Sequence, residues 1–232
     1  MELFWEGLVQ AFRLLIGGNP EMIRVTLLTL QVSGLATLIS VIIGVPVGVS
    51  LALKRFHGRN LAVGAINTGM GLPPTVVGLV VSILMWRFGP LGFLGLMYTP
   101  TAMVIAQSLI ALPLITGFTM AGVQQLNPKL TLQIKALGAS RFQLWWLLLR
   151  EARLSLIAAV IAGFGGVVSE VGASMMVGGN IRGQTRVLTT AVVMEVSRGH
   201  FAMAIALSII LLALAFSITM FLTRVQQRGG LR

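Results

Sequence analysis

Five long apolar stretches constrain the fold of this chain more than any other feature. Each stretch reaches the roughly 20 apolar residues that a helix needs to cross the hydrocarbon core of a bilayer. A backbone in lipid must satisfy its own hydrogen bonds, so the pattern predicts an all-α membrane protein in which residues 1–232 form one transmembrane domain. The expected spans are Thr26–Leu53, Leu61–Trp86, Thr101–Val123, Leu154–Val177 and Ala202–Thr223.

The segment before the first span, residues 3–16, is too short to cross a bilayer. Its residues separate into two faces at helical spacing, which predicts an amphipathic helix at the membrane interface. No cleavable signal peptide is expected, because the first residues carry acidic rather than basic side chains. The polar face holds Glu2, Glu6, Gln10 and Arg13, and the apolar face holds Phe4, Leu8, Phe12 and Leu15.

The distribution of charged residues along the chain predicts its orientation in the membrane. Only 10% of the residues are charged, against about 25% in soluble domains, and the net charge is +11. The basic residues lie in short connections between apolar stretches, so we expect contact with membrane lipid and no nucleic acid. Most of them follow the first, third and fifth spans, and the positive-inside rule places those connections in the cytoplasm. The N-terminus is then outside the cytoplasmic membrane and the C-terminus inside, as five spans require.

The chain lacks the residues of most catalytic and metal sites. It contains no Asp and no Cys, which excludes an Asp-held Mg²⁺, an Asp-oriented triad and thiol chemistry. No Gly-Lys pair exists, so there is no phosphate-binding loop of the P-loop type. The two histidines, His57 and His200, are expected on opposite sides of the membrane, where they cannot share a metal. We therefore expect no catalysis, metal or cofactor in this chain.

A basic, amphipathic stretch lies between the third and fourth spans, at about 127–153, and is called the basic segment below. Asn127-Pro128 is a helix-start signal, a short helix is expected through Leu137, and Ser140 fits the cap of a second helix. Gly138 between them can adopt turn conformations that other residues resist. The pattern predicts two angled helices along the membrane face, held either by anionic lipid or by another protein.

Glycine and proline mark two of the expected spans. In the first, Gly44-Val-Pro-Val-Gly48 gives a small-residue contact around a proline. In the second, two prolines near the bilayer centre free backbone carbonyls, which is tolerated where backbone packs on neighbours or lines a cavity. Two interpretations stay open, a packing kink and a pore-lining gate. The candidate gate residues are Pro73, Pro74, Thr75, Val76, Val77 and Gly78.

The fourth span contains Glu170, and the loop after it, Gly178–Leu188, is called the arginine loop below. A carboxylate within a membrane usually has a partner, so Glu170 is expected either in an ion pair or as a hydrogen-bonded packing residue. Its expected partner is Arg182, Arg186 or a second copy of the chain. The arginine loop is either a plain solvated loop or a positive mouth for a dianion.

Several motifs resemble those of the permease subunits of bacterial ABC importers, especially the molybdate and tungstate permeases. Ala136-Leu-Gly-Ala-Ser140 is similar to the cytoplasmic loop that docks the ATPase, and Leu72–Gly78 is similar to the pore-lining helix. Glu170-x-Gly-Ala173 and Asn180-Ile-x-Gly-x-Thr185 resemble the region after the fourth span of the oxyanion permeases. The likeness runs from Thr26 to Thr223 and is closest to the tungstate permeases.

The resemblance implies a type I importer permease fold and a homodimer with the pore at its interface. It also implies two ATPase subunits, which bind ATP and Mg, and an external oxyanion-binding protein that holds most of the selectivity. The substrate would be tungstate first, or else molybdate or sulfate, and this chain would not itself be an enzyme. The implied docking residues are Lys135, Ala136, Leu137, Gly138, Ala139, Ser140 and Arg141.

This chain departs from the family's docking pattern at its start. Leu132-Gln133-Ile134 replaces the usual Glu-Ala-Ala, so Lys135, Arg141 or Arg150 is expected to take over that contact. Two rival classes stay open at this point. An ATP-independent channel or secondary carrier would use the basic segment only to bind lipid, although no internal repeat supports an inverted-repeat carrier. A membrane-embedded enzyme is disfavoured by the missing Asp and the separated histidines.

Overall fold

Helices make up the regular structure of the chain. A computed structural model describes residues 2–17 and 20–230, and no strand occurs within those ranges. The all-α prediction is therefore confirmed. The helices are α1 Glu2–Ile16, α2 Pro20–Leu53, α3 Arg59–Met70, α4 Pro74–Met85, α5 Pro100–Gln124, α6 Pro128–Ala136, α7 Arg141–Glu151, α8 Arg153–Val168, α9 Gly172–Gly178, α10 Leu188–Ser197 and α11 Phe201–Gly230.

Within residues 2–17 and 20–230, three single helices, α2, α5 and α11, are long and apolar enough to cross a membrane. They confirm the first, third and fifth expected spans, although α2 begins at Pro20 rather than at Thr26. The predicted small-residue contact on α2 is also present. A Cβ on Gly44 would lie 2.9 Å from the Thr116 hydroxyl, and one on Gly48 would lie 2.7 Å from the Thr116 carbonyl oxygen. The two glycines therefore let α2 and α5 approach closely.

The second expected span, Leu61–Trp86, is a pair of helices, α3 and α4, which together are long and apolar enough to count as one broken span. Helices α3 and α4 meet at an angle of 105° across Gly71–Pro73. Pro73 has an extended ψ of 125° and Pro74 occupies the first turn of α4. A helix cannot continue through this pair, because proline lacks the N–H donor and forces the residue before it out of the helical region.

The fourth expected span, Leu154–Val177, is also broken, with α8 ending at Val168 and α9 beginning at Gly172. Helix α8 alone would reach about 24 Å, which is less than the thickness of a hydrocarbon core. Near its end the Ser169 hydroxyl donates to the carbonyl oxygen of Gly165 at 2.8 Å. Serine bonds of this kind bend helices because they compete for the carbonyl that the helix uses.

The two ends of α2 define the two ends of the molecule, which lie about 50 Å apart at 1.5 Å per residue. Leu53 packs with the buried Ile134 and Leu148 of the basic segment, so this is called the Leu53 end. At the other end Glu21 contacts the arginine loop, and this is called the Glu21 end. His57 follows α2 at the Leu53 end, whereas His200 lies with Glu195 beside the cleft at the Glu21 end.

Helix α1 is the amphipathic helix expected over residues 3–16. Its small residues pack inward, since a Cβ on Gly7 would lie 2.4 Å from the Ile205 side chain and Ala11 is buried against α11. The aromatic side chains of Phe4, Trp5 and Phe12 remain exposed. The side chain of Leu15, which the sequence places on the same face, lies outside the described residues.

Candidate functional sites

The basic segment folds as a helix–turn–helix through local hydrogen bonds. Asn127 Oδ1 accepts from the Lys129 N–H at 2.9 Å and caps α6. Ser140 Oγ accepts from the Gln143 N–H at 3.3 Å, and Gln143 Oε1 accepts from the Ser140 N–H at 2.8 Å, which is a capping box for α7. Gly138 has a φ of +77° and makes the turn between the helices. The predicted helices, turn and cap are confirmed.

The surface of the basic segment mixes bulky apolar groups with cations. Leu137 is 87% exposed and Phe142 is 81% exposed. Lys135 and Arg141 lie exposed beside them, as do Ala136, Gly138 and Ser140, whereas Ala139 is half-buried. Exposed apolar side chains of this size, placed on either side of a turn and next to positive charges, form a surface suited to a protein partner.

The candidate gate residues do not share one face. Thr75 and Val76 are exposed on the first turn of α4 after the exposed Pro73, and Pro74 is half-buried. Val77 and Gly78 instead face the interior of the subunit. A Cβ on Gly78 would lie 2.6 Å from the Cα of Ala173, so α4 packs closely on α9. The structure therefore leaves Pro73, Thr75 and Val76 available to line a passage outside the subunit.

Glu170 lies in the break between α8 and α9 and is 9% exposed. Its Oε1 accepts from the Ala173 N–H at 2.9 Å, which satisfies a donor at the start of α9. Its backbone oxygen accepts from the Thr189 hydroxyl at 2.9 Å and ties the break to α10. The expected ion pair with Arg182 or Arg186 was wrong, because both guanidinium groups bind Glu21.

The arginine loop is organised around Glu21, in the first turn of α2. Arg182 Nε donates to Glu21 Oε1 at 2.7 Å, and a second nitrogen of Arg182 binds Glu21 Oε2. Arg186 Nη1 lies 3.7 Å from Glu21 Oε1, and Arg186 Nε donates to Asn180 Oδ1 at 3.3 Å. Hydrogen bonding to Glu21, and then its negative charge, raises the pKa of the Arg182 guanidinium, which stays cationic.

Backbone geometry fixes the arginine loop. Asn180 has a φ of +52° and Gly183 a φ of +75°, conformations that suit asparagine and glycine. The Thr185 hydroxyl accepts from the Ile181 N–H at 2.9 Å and donates to the carbonyl oxygen of Gly178. The loop therefore presents Arg182 and Arg186 in set positions rather than as a plain solvated segment.

Two clefts open beside the pair of Glu21 and Arg182. The larger has a volume of about 520 Å³, and three arginines, Arg24, Arg182 and Arg186, line it with Glu21. The smaller has a volume of about 290 Å³ and reaches from Glu21 to Glu195 and Arg198 between α2, α10 and α11. The Glu21 end is thus recessed and positively charged, which suits an anion.

The family of this chain follows from its sequence match. Residues 44–229 match the family described as binding-protein-dependent transport system inner membrane component. The chain belongs to this family. It is an inner-membrane permease subunit of an ABC importer, a transport component rather than an enzyme. Permeases of this family work in a complex with ATPase and binding-protein partners.

Relatives align with nearly the whole permease. The tungstate uptake system permease protein TupB of Peptoclostridium acidaminophilum is 39% identical over 227 residues, which cover 98% of this chain and 100% of the relative. A probable anion ABC transporter permease protein of Haloferax volcanii is 36% identical over 212 residues, covering 89% and 91% respectively. These matches confirm the resemblance to oxyanion permeases.

Solved structures support the fold. The methionine ABC transporter MetNI, in an inward-facing conformation, matches the permease with a TM-score of 0.76 at 20% identity, over 90% of this chain and 95% of that chain. This likeness confirms the type I ABC importer permease fold.

Sequence reasoning missed Glu21 and Arg24 as parts of the site at the Glu21 end. An acid in the first turn of a spanning helix was the available signal, because such a position favours a carboxylate. Nothing in the sequence placed Glu21 beside Arg182, from which it is separated by 161 positions.

Proposed function

We propose that the permease imports a tetrahedral oxyanion, tungstate first and molybdate or sulfate as the alternatives. The presence of two different surfaces at opposite ends of the subunit supports this proposal. An uncovered apolar and basic docking surface lies at the Leu53 end, and a recess lined by three arginines lies at the Glu21 end. The first suits an ATPase and the second suits an anion, and the likeness to a tungstate uptake permease points to the same substrate class.

The proposed orientation puts the Leu53 end in the cytoplasm and the Glu21 end outside. The connections around Leu53 carry most of the basic residues, in agreement with the positive-inside rule. The N-terminus then lies outside and the C-terminus inside. An external oxyanion-binding protein would deliver its anion to the Glu21 end.

ATP hydrolysis is proposed to occur in two separate ATPase subunits. Each would bind the basic segment of one of the two permease copies. ATP and Mg would bind there and not to this chain. The exposed Leu137 and Phe142 would enter the ATPase surface, with Lys135, Arg141 or Arg150 beside them.

Movement of the ATPases would reach the passage through a continuous set of contacts. Helix α7 bends by 73° into α8, and the Ala152 N–H still donates to the Leu148 carbonyl oxygen at 2.8 Å across that bend. The far end of α8 reaches the break at Glu170, and α9 beyond it packs on α4 at Gly78. A tilt of α7 would therefore displace the exposed face of α4.

The proposed gate is the exposed part of α4, with Pro73, Thr75 and Val76, facing the second copy in a homodimer. Two such faces would form a mainly apolar constriction. A hydrated dianion cannot cross an apolar constriction while it is closed and dry, so the gate would prevent leakage at rest. Val77 and Gly78 would support the gate from inside the subunit.

Reconstitution tests the proposed function. The permease, its ATPase and its binding protein are placed in liposomes, and uptake of tungstate, molybdate and sulfate is measured with and without ATP. We expect uptake that requires ATP and all three proteins, with tungstate preferred when the cognate binding protein is present. Uptake without ATP, or a permease that fails to bind the ATPase, would support a channel or secondary carrier instead.

A further inference from the structure

The Glu21 end contains a recess whose charge suits a small dianion. We propose that Arg24, Arg182 and Arg186, called the arginine cluster below, form a receiving site for a tetrahedral oxyanion, and that the anion displaces the Glu21 carboxylate on entry. The inference rests on the proposed import function and adds to it a binding site within the permease itself. The site would act before the gate, after the binding protein releases its anion.

The charge of the recess matches that of the ligand. Three arginines and one glutamate line the cleft of about 520 Å³, so its charged side chains sum to +2. A tetrahedral oxyanion such as tungstate carries a charge of −2. Guanidinium groups present paired N–H donors that fit the oxygens of such an anion, and charge-assisted hydrogen bonds are the stronger kind.

Part of the site is held in place before any anion arrives. The side chain of Arg186 is only 14% exposed and is bound by Asn180. A Cβ on Gly183 would lie 3.4 Å from Arg24 Nη1, so the guanidinium of Arg24 lies against the backbone of the arginine loop. No ion pair engages Arg24 within the described residues, and its charge is available to a ligand.

Glu21 occupies the position that the anion would take. Its carboxylate contacts both Arg182 and Arg186, as a bound oxyanion would. The Glu21 side chain is 39% exposed and that of Arg182 is 73% exposed, so water screens this pair. Ion pairs exposed to water are weak, so a dianion can displace the Glu21 carboxylate from Arg182. The competition also keeps the affinity low, and a transport pathway needs sites that release their ion.

A small anion fits the geometry better than an acidic residue of the binding protein does. A protein carboxylate arriving from solvent would meet the exposed Arg182 first. Arg186 is recessed and mostly covered, and it can be reached by an ion that enters the cleft. We therefore assign the arginine cluster to the free oxyanion, and salt bridges to the binding protein become an outcome of the test.

Equilibrium binding of tungstate to the purified permease–ATPase complex, without binding protein and at low ionic strength, tests the assignment. We expect weak, saturable binding to the wild type. Arg24→Gln and Arg186→Gln should weaken it about tenfold, because each removes a charge-assisted contact. Glu21→Gln should tighten it about threefold, because the competing charge is lost.

Arg87→Gln is the matched control, since Arg87 stacks on Phe88 at 5.9 Å and does not line the cleft. It should bind tungstate as the wild type does. Arg24→Gln should fold as the wild type does, because Arg24 is exposed and has no ion pair in the described part of the chain. Weaker binding by this variant would therefore report on the site and not on misfolding.

Weaker binding after Glu21→Gln would overturn the inference, since Glu21 would then only hold the loop together. Absence of saturable binding in every variant would overturn it as well. Loss of the ATPase stimulation by binding protein, with tungstate binding unchanged, would assign the arginines to the protein partner. In each of these cases ATP-driven uptake with all components present would leave the proposed function standing.

Discussion

The basic segment and the arginine loop lie at opposite ends of the permease and are built in different ways. Short-range caps shape the basic segment, which leaves Leu137 and Phe142 uncovered. Contacts between distant parts of the chain shape the arginine loop, where charges cover the surface. The first surface can be gripped by a large partner, whereas the second presents charge to a small ion. The proposed function therefore assigns force transmission to the Leu53 end and anion handling to the Glu21 end.

Placing a negative charge on the exposed apolar surface of the basic segment should have the largest effect on transport. We expect Phe142→Glu to abolish copurification with the ATPase and to stop ATP-dependent uptake. The variant would place a carboxylate at a position where the proposed docking buries an apolar side chain. Folding should be retained, since Phe142 is 81% exposed in the free permease.

Phe93→Glu is the matched control for Phe142→Glu. Phe93 is also 81% exposed but lies outside the basic segment, on the connection between α4 and α5. This variant should keep its ATPase. If both variants, or neither, lose the ATPase, the basic segment has no special part in docking.

A second prediction concerns the link between the two ends, at Glu170. Glu170→Leu should lower the free energy of unfolding by about 1–3 kcal/mol, because the buried N–H of Ala173 loses its acceptor. Glu170→Gln keeps an acceptor oxygen and should cost less. Thermal unfolding in detergent measures both effects. Equal and complete loss of uptake in the two variants, at normal protein levels, would indicate a protonation step at Glu170 and contradict a capping role.

The smallest expected effects come from two glycines with the same conformation. Gly138 has a φ of +77° and Gly183 a φ of +75°. Alanine at either position should cost about 1–2 kcal/mol of backbone strain. Gly138→Ala should lower the ATPase activity coupled to uptake, whereas Gly183→Ala should lower anion binding. A loss of anion binding in Gly138→Ala, or a loss of coupled ATPase activity without a loss of anion binding in Gly183→Ala, would contradict the separate roles of the two ends.

How well the sequence predicts each region depends on how far apart along the chain the interacting residues lie. The basic segment could be predicted because Asn127 and Ser140 cap helices that begin beside them. The arginine loop was only partly predictable, since its partner Glu21 lies on another helix. No local pattern reports a contact between residues that only tertiary packing brings together.

The broken spans show a second limit of the sequence. Apolar residues continue on both sides of each break, so length and composition predicted one span across each of them. Pro73 and Pro74 did indicate an interruption, but no local pattern predicted the 105° angle between α3 and α4. The sequence predicted Glu170 either in an ion pair or as a hydrogen-bonded packing residue. Its capping bond to Ala173 arises only once the helix has ended.

Thiol labelling in intact cells tests the proposed separation of the two ends by the membrane. The native chain contains no Cys, so single cysteines at Lys135 and Gln184 report without background. Both positions are exposed in the structure. An impermeant maleimide should label the cysteine at Gln184, and should reach the one at Lys135 only after the membrane is permeabilised. Labelling at Lys135 in intact cells, with protection at Gln184, would reverse the orientation and contradict both the docking surface and the receiving site.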